Sequence, residues 1–160
     1  MLLASSAVFA QAPSDAQIAG IVVTANTVDI DAGKLAQKMS KNKEVRAFAK
    51  MMVTDHSGVN KQATALVKKL HVTPADSDTS KSLKSGGEAN LAKLKALKGA
   101  GFDKAYVDNE VVYHEAVIDA LDKTLIPGAQ NAELKDTLVK VRPAFMAHLE
   151  HAKHIQVRLK

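Results

Sequence analysis

Apolar residues recur at alternating steps of three and four positions in four long segments of this sequence. Such spacing places them on one face of an α-helix, and the first stripe continues for about six turns, longer than β-strands run. We therefore predict four helices, which run from Ser14 to Ser40, from Asn42 to Leu70, from Phe102 to Ile126, and from Asn131 towards the C-terminus.

The links between these helices differ greatly in length. A few residues join helix one to two and helix three to four, whereas residues 71 to 100 separate helix two from helix three. Within that connection only residues 88 to 99 show helical periodicity, and the tract "TPADSDTSKSLKSGG" predicts a loop. The pattern predicts an all-α fold, a ferritin-like four-helix bundle with a long crossover between helices two and three.

Chain length and composition agree with a single helical unit. The chain has 160 residues, no Trp and only 4% aromatic residues, so its core must be built from small and aliphatic side chains. One core of that kind suits closely packed helices and is too small to divide into two domains. We assign the bundle to residues 13 to 160.

The first twelve residues, MLLASSAVFAQA, form an apolar run that ends in small residues. Val8, Ala10 and Ala12 match the spacing at which signal peptidase cleaves, although the run lacks a positively charged start. We interpret residues 1 to 12 as a signal peptide remnant, with a disordered apolar tail as the alternative. The mature protein would then begin near Gln11 or Pro13 and be periplasmic or otherwise exported.

The net charge of +5 is spread over several segments and does not form one basic element. Nucleic-acid-binding domains usually cluster such charges and interleave aromatic residues, so we expect no nucleic-acid partner. Attraction to an anionic envelope surface stays open. No other apolar run approaches the roughly 18 residues of a membrane helix, and we predict no transmembrane segment.

The sequence contains no cysteine, which excludes disulfides, thiolate catalysis and thiolate metal sites. It also lacks a glycine-rich phosphate loop and a serine nucleophile elbow. A bound metal would therefore need nitrogen and oxygen ligands, or methionine sulfur.

Three of the apolar stripes are interrupted by a histidine near the middle of the helix. These are His56 in helix two, His114 in helix three and His148 in helix four. At a rise of 1.5 Å per residue, all three lie within roughly 5 Å of one level. Asp29 lies at the midpoint of helix one, so a carboxylate can reach the same level.

Buried histidines need partners, because an unsatisfied polar group costs roughly 1 to 3 kcal/mol. Those partners could be one another, water, or the carboxylates of Asp29, Asp55 and Glu110. They could also be a transition metal such as zinc, copper, iron or manganese, which imidazole and carboxylate bind together. The sequence leaves both a metal site and a structural hydrogen-bond network open.

Other residues carry weaker signals. Di-iron oxidases use a Glu-x-x-His motif on two helices, which this sequence lacks, although Glu110 and His114 could chelate one ion. Met52 and Met146 could supply sulfur to copper, but packing explains them more simply. We expect His151 and His154 to be exposed, and His71 to lie at a helix end.

Four sequence blocks give the chain a family resemblance: "VDIDAGKLA", "VRAFAKMMVTDHSGVNKQ", "GFDKAYVDNEVVYHEAVIDAL" and "FMAHLEHAKHI". Over residues 15 to 157 it resembles the exported family of domain of unknown function four-one-four-two, often labelled outer membrane proteins. The resemblance implies a ferritin-like fold and picks out Asp29, His56, His114 and His148. The chain departs from the family in having Asp29 where Glu is usual, and Arg142 before Pro143 where Leu is usual.

The sequence thus supports three functional hypotheses. The first is an exported bundle that binds a transition metal through Asp29, His56, His114 and His148, in metal handling or envelope stress. The second is a non-catalytic structural or partner-binding bundle with a buried histidine network, and a metal-dependent enzyme is the third. The sequence does not choose the metal, a substrate or a reaction.

Overall fold

The computed structural model describes residues 12–159, and within them all regular structure is helical. The helices are α1 (Asp15–Met39), α2 (Lys43–Lys69), α3 (Asp78–Lys95), α4 (Gly99–Ala120), the single turn α5 (Ile126–Gly128) and α6 (Ala132–Gln156). A π-helical turn, Leu121–Leu125, joins α4 to α5. The prediction of an all-α helical bundle is confirmed, while its ferritin-like topology stays a prediction.

Side-chain caps explain where several helices begin. The Ser14 hydroxyl accepts from the Gln17 backbone N–H while the Gln17 side chain accepts from the Ser14 N–H, which starts α1. Asn42 and Asn131 each accept two backbone N–H groups at the starts of α2 and α6. These starts agree with the sequence prediction to within one residue.

The predicted count of four helices was wrong, because the connection between helices two and three contains α3. Its first half, which we predicted as a loop, is helical from Asp78, and it ends at Lys95 rather than near residue 99. Ser77 caps it reciprocally with Ser80. Few apolar residues are needed on this helix, because it covers one face of α1 and is otherwise exposed.

Two glycines let this connection approach α1 closely. A Cβ on Gly87 would lie 2.7 Å from a Val28 methyl group, and one on Gly20 would lie 2.2 Å from the Ala75 carbonyl oxygen. The Ala75 N–H also donates to the Ala16 carbonyl oxygen at 2.8 Å. The connection is therefore held against α1 at two places, near its start at Ala75 and in its middle at Gly87.

The third predicted helix is longer and less regular than expected. It begins at Gly99 rather than Phe102, and no feature of the sequence predicted the π-helical turn before Pro127. Leu121 and Leu125 of that turn are buried. The irregularity therefore contributes to the core.

The core consists of two apolar clusters at opposite ends of the bundle. The first, around Phe48, Phe102 and Ile155, lies where α1 and α6 end and where α2 and α4 begin. The second, around Ile18, Leu125 and Leu138, lies where α1 and α6 begin. The level between them is occupied by buried polar side chains.

Within residues 12–159, no helix combines the length and the apolar character that crossing a bilayer requires. Apart from Ala12, the predicted signal peptide remnant lies outside the described residues.

Candidate metal centre

Four side chains meet in the middle of the bundle, each from a different helix. Asp29 comes from α1, His56 from α2, His114 from α4 and His148 from α6. All four are at most 4% exposed, and the three imidazole centroids lie 5.2 to 5.6 Å apart. The structure brings together all the residues that the sequence predicted for the site.

His56 is held in one tautomer by Asn26. Its Nδ1 lies 2.6 Å from Asn26 Oδ1, and the amide is oriented because Asn26 Nδ2 donates to the Val22 carbonyl oxygen at 2.9 Å. Nδ1 must therefore carry the proton and donate it to Asn26. The lone pair of His56 is left on Nε2, which points towards the centre of the bundle.

His114 has the same arrangement with a backbone partner. Its Nδ1 donates to the Glu110 carbonyl oxygen at 3.0 Å, one helical turn earlier on α4. Nε2 again carries the lone pair. A metal-binding histidine commonly fixes its other nitrogen on a carbonyl or amide oxygen in this way.

The Asp29 carboxylate lies between these two lone pairs. Its Oδ2 is 3.1 Å from His56 Nε2 and 3.6 Å from His114 Nε2, and neither carboxylate oxygen has a hydrogen-bond donor. Two neutral imidazole lone pairs facing a carboxylate repel it unless a proton or a cation lies between them. A proton or a cation between these groups would remove that repulsion.

His148 completes the ring of imidazoles from the α6 side. Its Nε2 donates to Asp55 Oδ2 at 2.9 Å, which leaves the lone pair on Nδ1. Nδ1 is buried and has no hydrogen-bond partner. One ring nitrogen from each of the three histidines lies within 4.8 Å of the other two, as the ligands of one ion would.

Glu110 adds a second carboxylate beside His114. Its Oε2 is 3.6 Å from His114 Nδ1 and has no hydrogen-bond partner, although the side chain is buried. Asp29, Glu110 and His114 also offer ligand atoms within 4.8 Å of one another. The buried hydroxyl of Tyr106 is unpartnered too.

Burial disfavours charge on every ionisable group of the centre. It raises the pKa of Asp29 to about 8 and, with repulsion from Asp29, raises the pKa of Glu110 well above its usual value. Burial and neighbouring histidines lower the pKa of His56 to about 2, and burial lowers the pKa of His114 to about 4. The pKa of His148 is lowered by burial, against the opposing effect of Asp55. All three imidazoles are thus neutral at pH 7, which is the form that binds metals.

Phe145 covers the imidazoles from the second apolar cluster. Its ring centroid lies 5.1 Å from that of His56, 6.3 Å from His114 and 6.1 Å from His148. An apolar ring in this position keeps water from reaching the lone pairs from that side.

The weaker sequence candidates lie elsewhere. Met52 is buried in the first apolar cluster, and Met146 is 43% exposed with its sulfur accepting from Arg142. His151 and His154 are exposed on α6, as expected, and His71 follows α2 with a positive φ of 53°. Arg142 pairs with Asp122 on the π-helical turn.

Sequence reasoning missed Asn26, and it named Glu110 only as a neighbour of His114. Asn26 lies three residues before Asp29, so both occupy one face of α1. A polar pair with this spacing on an otherwise apolar stripe was the available signal. Glu110 is likewise one turn before His114 on α4.

Comparison with known proteins identifies a solved structure of similar fold and a matching family. A solved structure described as "CopM in the Cu(II)-bound form" is similar over 91% of this chain and 98% of its own, with a TM-score of 0.70 and 13% sequence identity. At that identity the similarity concerns the fold. No curated protein matches the chain in sequence. The family model described as "Domain of unknown function (DUF4142)" matches residues 3–155, and the chain belongs to this family.

Proposed function

We propose that this protein binds one divalent transition-metal ion, with Cu(II) as the first candidate, at the level of Asp29, His56, His114 and His148. One observation carries the proposal. Buried ligand atoms without hydrogen-bond partners converge there: both oxygens of Asp29, and His56 Nε2, His114 Nε2, His148 Nδ1 and Glu110 Oε2.

Energetics favour a bound ion over an unfilled polar cluster. Each unsatisfied buried polar atom costs roughly 1 to 3 kcal/mol, so this set would cost as much as a large part of a typical domain stability of about 5 to 15 kcal/mol. One cation would satisfy most of these atoms at once. Without a metal, burial keeps a proton on Asp29, but that one proton can be donated to only one of the two imidazole lone pairs that face it.

Charge balance favours a single divalent ion. The three imidazoles are neutral, and Asp29 and Glu110 together contribute two negative charges when ionised. One divalent cation makes the cluster neutral, which a water-poor interior requires. Two such ions would leave a net positive charge, in keeping with the lack of the paired motif of di-iron oxidases.

The donor set narrows the choice of metal. Imidazole nitrogen with carboxylate oxygen suits copper, zinc, iron and manganese, and Cu(II) binds most tightly to such ligands in the divalent series. The structural neighbour described as Cu(II)-bound supports testing copper first.

The proposed role is metal handling outside the cytoplasm. The apolar run with small residues at positions 8, 10 and 12 supports export. Copper bound deep in a protein is kept from reacting with other molecules, which would protect the cell envelope. A metal-dependent reaction is a weaker proposal, because no substrate group can be named.

The test is a metal titration of the full chain, purified without a metal-affinity resin and stripped with a chelator. We expect one Cu(II) per chain and, in electron paramagnetic resonance, splitting by imidazole nitrogen. His114→Ala should weaken binding by about a hundredfold or more, since even outer partners of metal ligands contribute 10- to 100-fold.

His154→Ala provides the matched control, because His154 is exposed on the same helix as His148. It should bind as tightly as the parent. If neither copper, zinc, iron nor manganese binds, or if His114→Ala binds like the parent, the histidines form a structural network instead.

A further inference from the structure

One ligand candidate of the centre lies at the boundary between core and solvent. The His148 side chain is 5% exposed, but the Asp55 side chain that accepts its Nε2 proton is 42% exposed. Asp29 and His114, by contrast, are at most 1% exposed. The Asp55–His148 pair is therefore a continuous polar path from the surface to the centre.

The two nitrogens of His148 face different environments. Nε2 is turned outward to Asp55, while the unprotonated Nδ1 is buried and unpartnered. His56 and His114 differ, because their Nδ1 atoms are held by Asn26 and by the backbone of Glu110 inside the protein. Only the outer partner of His148 is a side chain that water can reach.

Helix packing is less extensive on this side of the centre than between neighbouring helices of the bundle. α2 packs mainly on α1, and α6 mainly on α4, whereas α2 and α6 contact one another less extensively. Ala144 and Ala147, which flank His148 in the sequence of α6, are small and exposed. Exposed His151 lies one turn beyond.

We propose that the metal ion enters and leaves between α2 and α6, through the Asp55–His148 pair. This proposal rests on the proposed function. The exposed Asp55 carboxylate would attract the hydrated cation, and His148 Nδ1, the ligand atom next to this pair, would be the first imidazole nitrogen to bind it. The Nε2–H can remain bonded to Asp55 throughout, so no proton is gained or lost by the imidazole.

The hydrogen bond from His148 Nε2–H to Asp55 fixes the orientation of the imidazole ring. It directs Nδ1 towards the centre, as the structure shows. Asp55 thus has two effects. Its charge attracts the cation at the surface, and its hydrogen bond orients the His148 ring. Substitutions separate these effects, because Asn keeps an oxygen that can accept the Nε2 proton but removes the charge.

The experiment is stopped-flow loading of the stripped full-length chain with Cu(II), for the parent, Asp55→Asn, Asp55→Glu and Asp119→Asn. Asp119 is a matched control, since its side chain is 57% exposed and it pairs with Lys123 instead of with a histidine. We expect Asp55→Asn to slow loading by about tenfold, because surface charges that steer ligands change association rates by 10-fold or more. Asp55→Glu and Asp119→Asn should load like the parent.

Salt distinguishes steering from a purely structural effect of Asp55. Loading of the parent should slow as ionic strength rises, and loading of Asp55→Asn should depend on salt much less. If Asp55→Asn loads at the parent rate, or only releases copper faster, the proposed entry between α2 and α6 is overturned. Asp55 is then merely a hydrogen-bond partner of His148. Failure of the parent itself to bind copper, zinc, iron or manganese would instead overturn the proposed function.

Discussion

The two apolar clusters and the polar level between them are built on the same helices but differ in what stabilises them. In the clusters, buried aliphatic and aromatic side chains contact one another. In the middle level, the stripe positions on α2, α4 and α6 carry histidines, and the lone pairs of His56 and His114 point at the Asp29 carboxylate. If the proposed function is correct, the clusters need no ligand, whereas the middle level is completed by one.

This difference separates folding from binding. Removal of water from apolar surface stabilises the ends of the bundle by about 25 cal/mol per Å². We expect the middle level to gain comparable stabilisation only when a cation binds there. Changes at the ends should therefore alter stability with or without metal, and changes in the middle should alter it in a metal-dependent way.

The largest effect is expected in the first apolar cluster. Phe48 is fully buried and packs edge-on against Tyr106. Phe48→Ala should destabilise the protein by about 3 to 5 kcal/mol, because it leaves a cavity in a packed core. Urea unfolding should give the same loss in stripped and metal-loaded protein; a loss seen in only one of them would break the comparison.

A smaller effect is expected from the metal itself. Free Cu(II) at about a hundred times its dissociation constant should raise the free energy of unfolding by about 2.7 kcal/mol. Binding should weaken as pH falls through about 8, because the ion must then displace the proton of Asp29, whose pKa is raised to about 8 by burial. Thermal unfolding measures the gain, and Asp29→Asn should lose most of it. An equal gain in that variant would exclude Asp29 as a ligand.

The stability of the stripped protein should fall as pH rises above about 6.5. In this range native Asp29, whose pKa is raised to about 8 by burial, and native Glu110, whose pKa is raised well above its usual value, keep protons that the unfolded chain has already lost. Below about pH 6.5 the unfolded chain takes up protons that native His56 and His114 refuse, because their pKa values are lowered to about 2 and 4, and this opposes the effect of the two carboxyl groups, so stability should change little. Each proton contributes about 1.4 kcal/mol per pH unit.

Urea unfolding at pH 5.5, 6.5 and 7.5 in the presence of a chelator checks this prediction. Asp29→Asn should reduce the loss of stability above pH 6.5. Bound metal should do the same, because the ion replaces the proton on the carboxylate. Stability that rises steadily from pH 5.5 to 7.5 would show that Asp29 is ionised without metal.

The smallest effect is expected at Met146. It is 43% exposed, and its sulfur accepts from Arg142 instead of facing the histidines. Met146→Leu should change stability by less than about 0.5 kcal/mol, as surface substitutions usually do. Copper affinity, measured by titration, should be unchanged; a tenfold weaker affinity would make this methionine a ligand.

The sequence was sufficient for the parts of the molecule that follow helical periodicity. Four stripes predicted α1, α2, α4 and α6, and their interruptions identified the three histidines. Periodicity indicated only the second half of α3, from residue 88, since a helix that covers a single face of α1 needs few apolar residues. Its Gly86–Gly87 pair also resembles a turn, although Gly87 is there to let α3 approach Val28.

Partners that act across helices were harder to predict. Asp55 and His148 are 93 positions apart, and their hydrogen bond depends on how α2 and α6 are rotated. The tautomers of His56 and His114 likewise follow from acceptors at fixed distances, which spacing alone does not give. The sequence therefore identified ligand candidates but not the direction of their lone pairs.

The two glycine contacts on α1 have a consequence for how the protein opens. α1 is contacted by α2, α3 and α4, and it is tied to the connection through Gly20 and Gly87. Its amide protons should exchange slowest with deuterated water, because the whole bundle must unfold to release them. Asp29 and Asn26 belong to this slowest unit, whereas His148 is paired with a half-exposed side chain of α2. If the proposed site holds a metal ion, the ion could be exchanged on the α6 side while the residues of α1 stay in place.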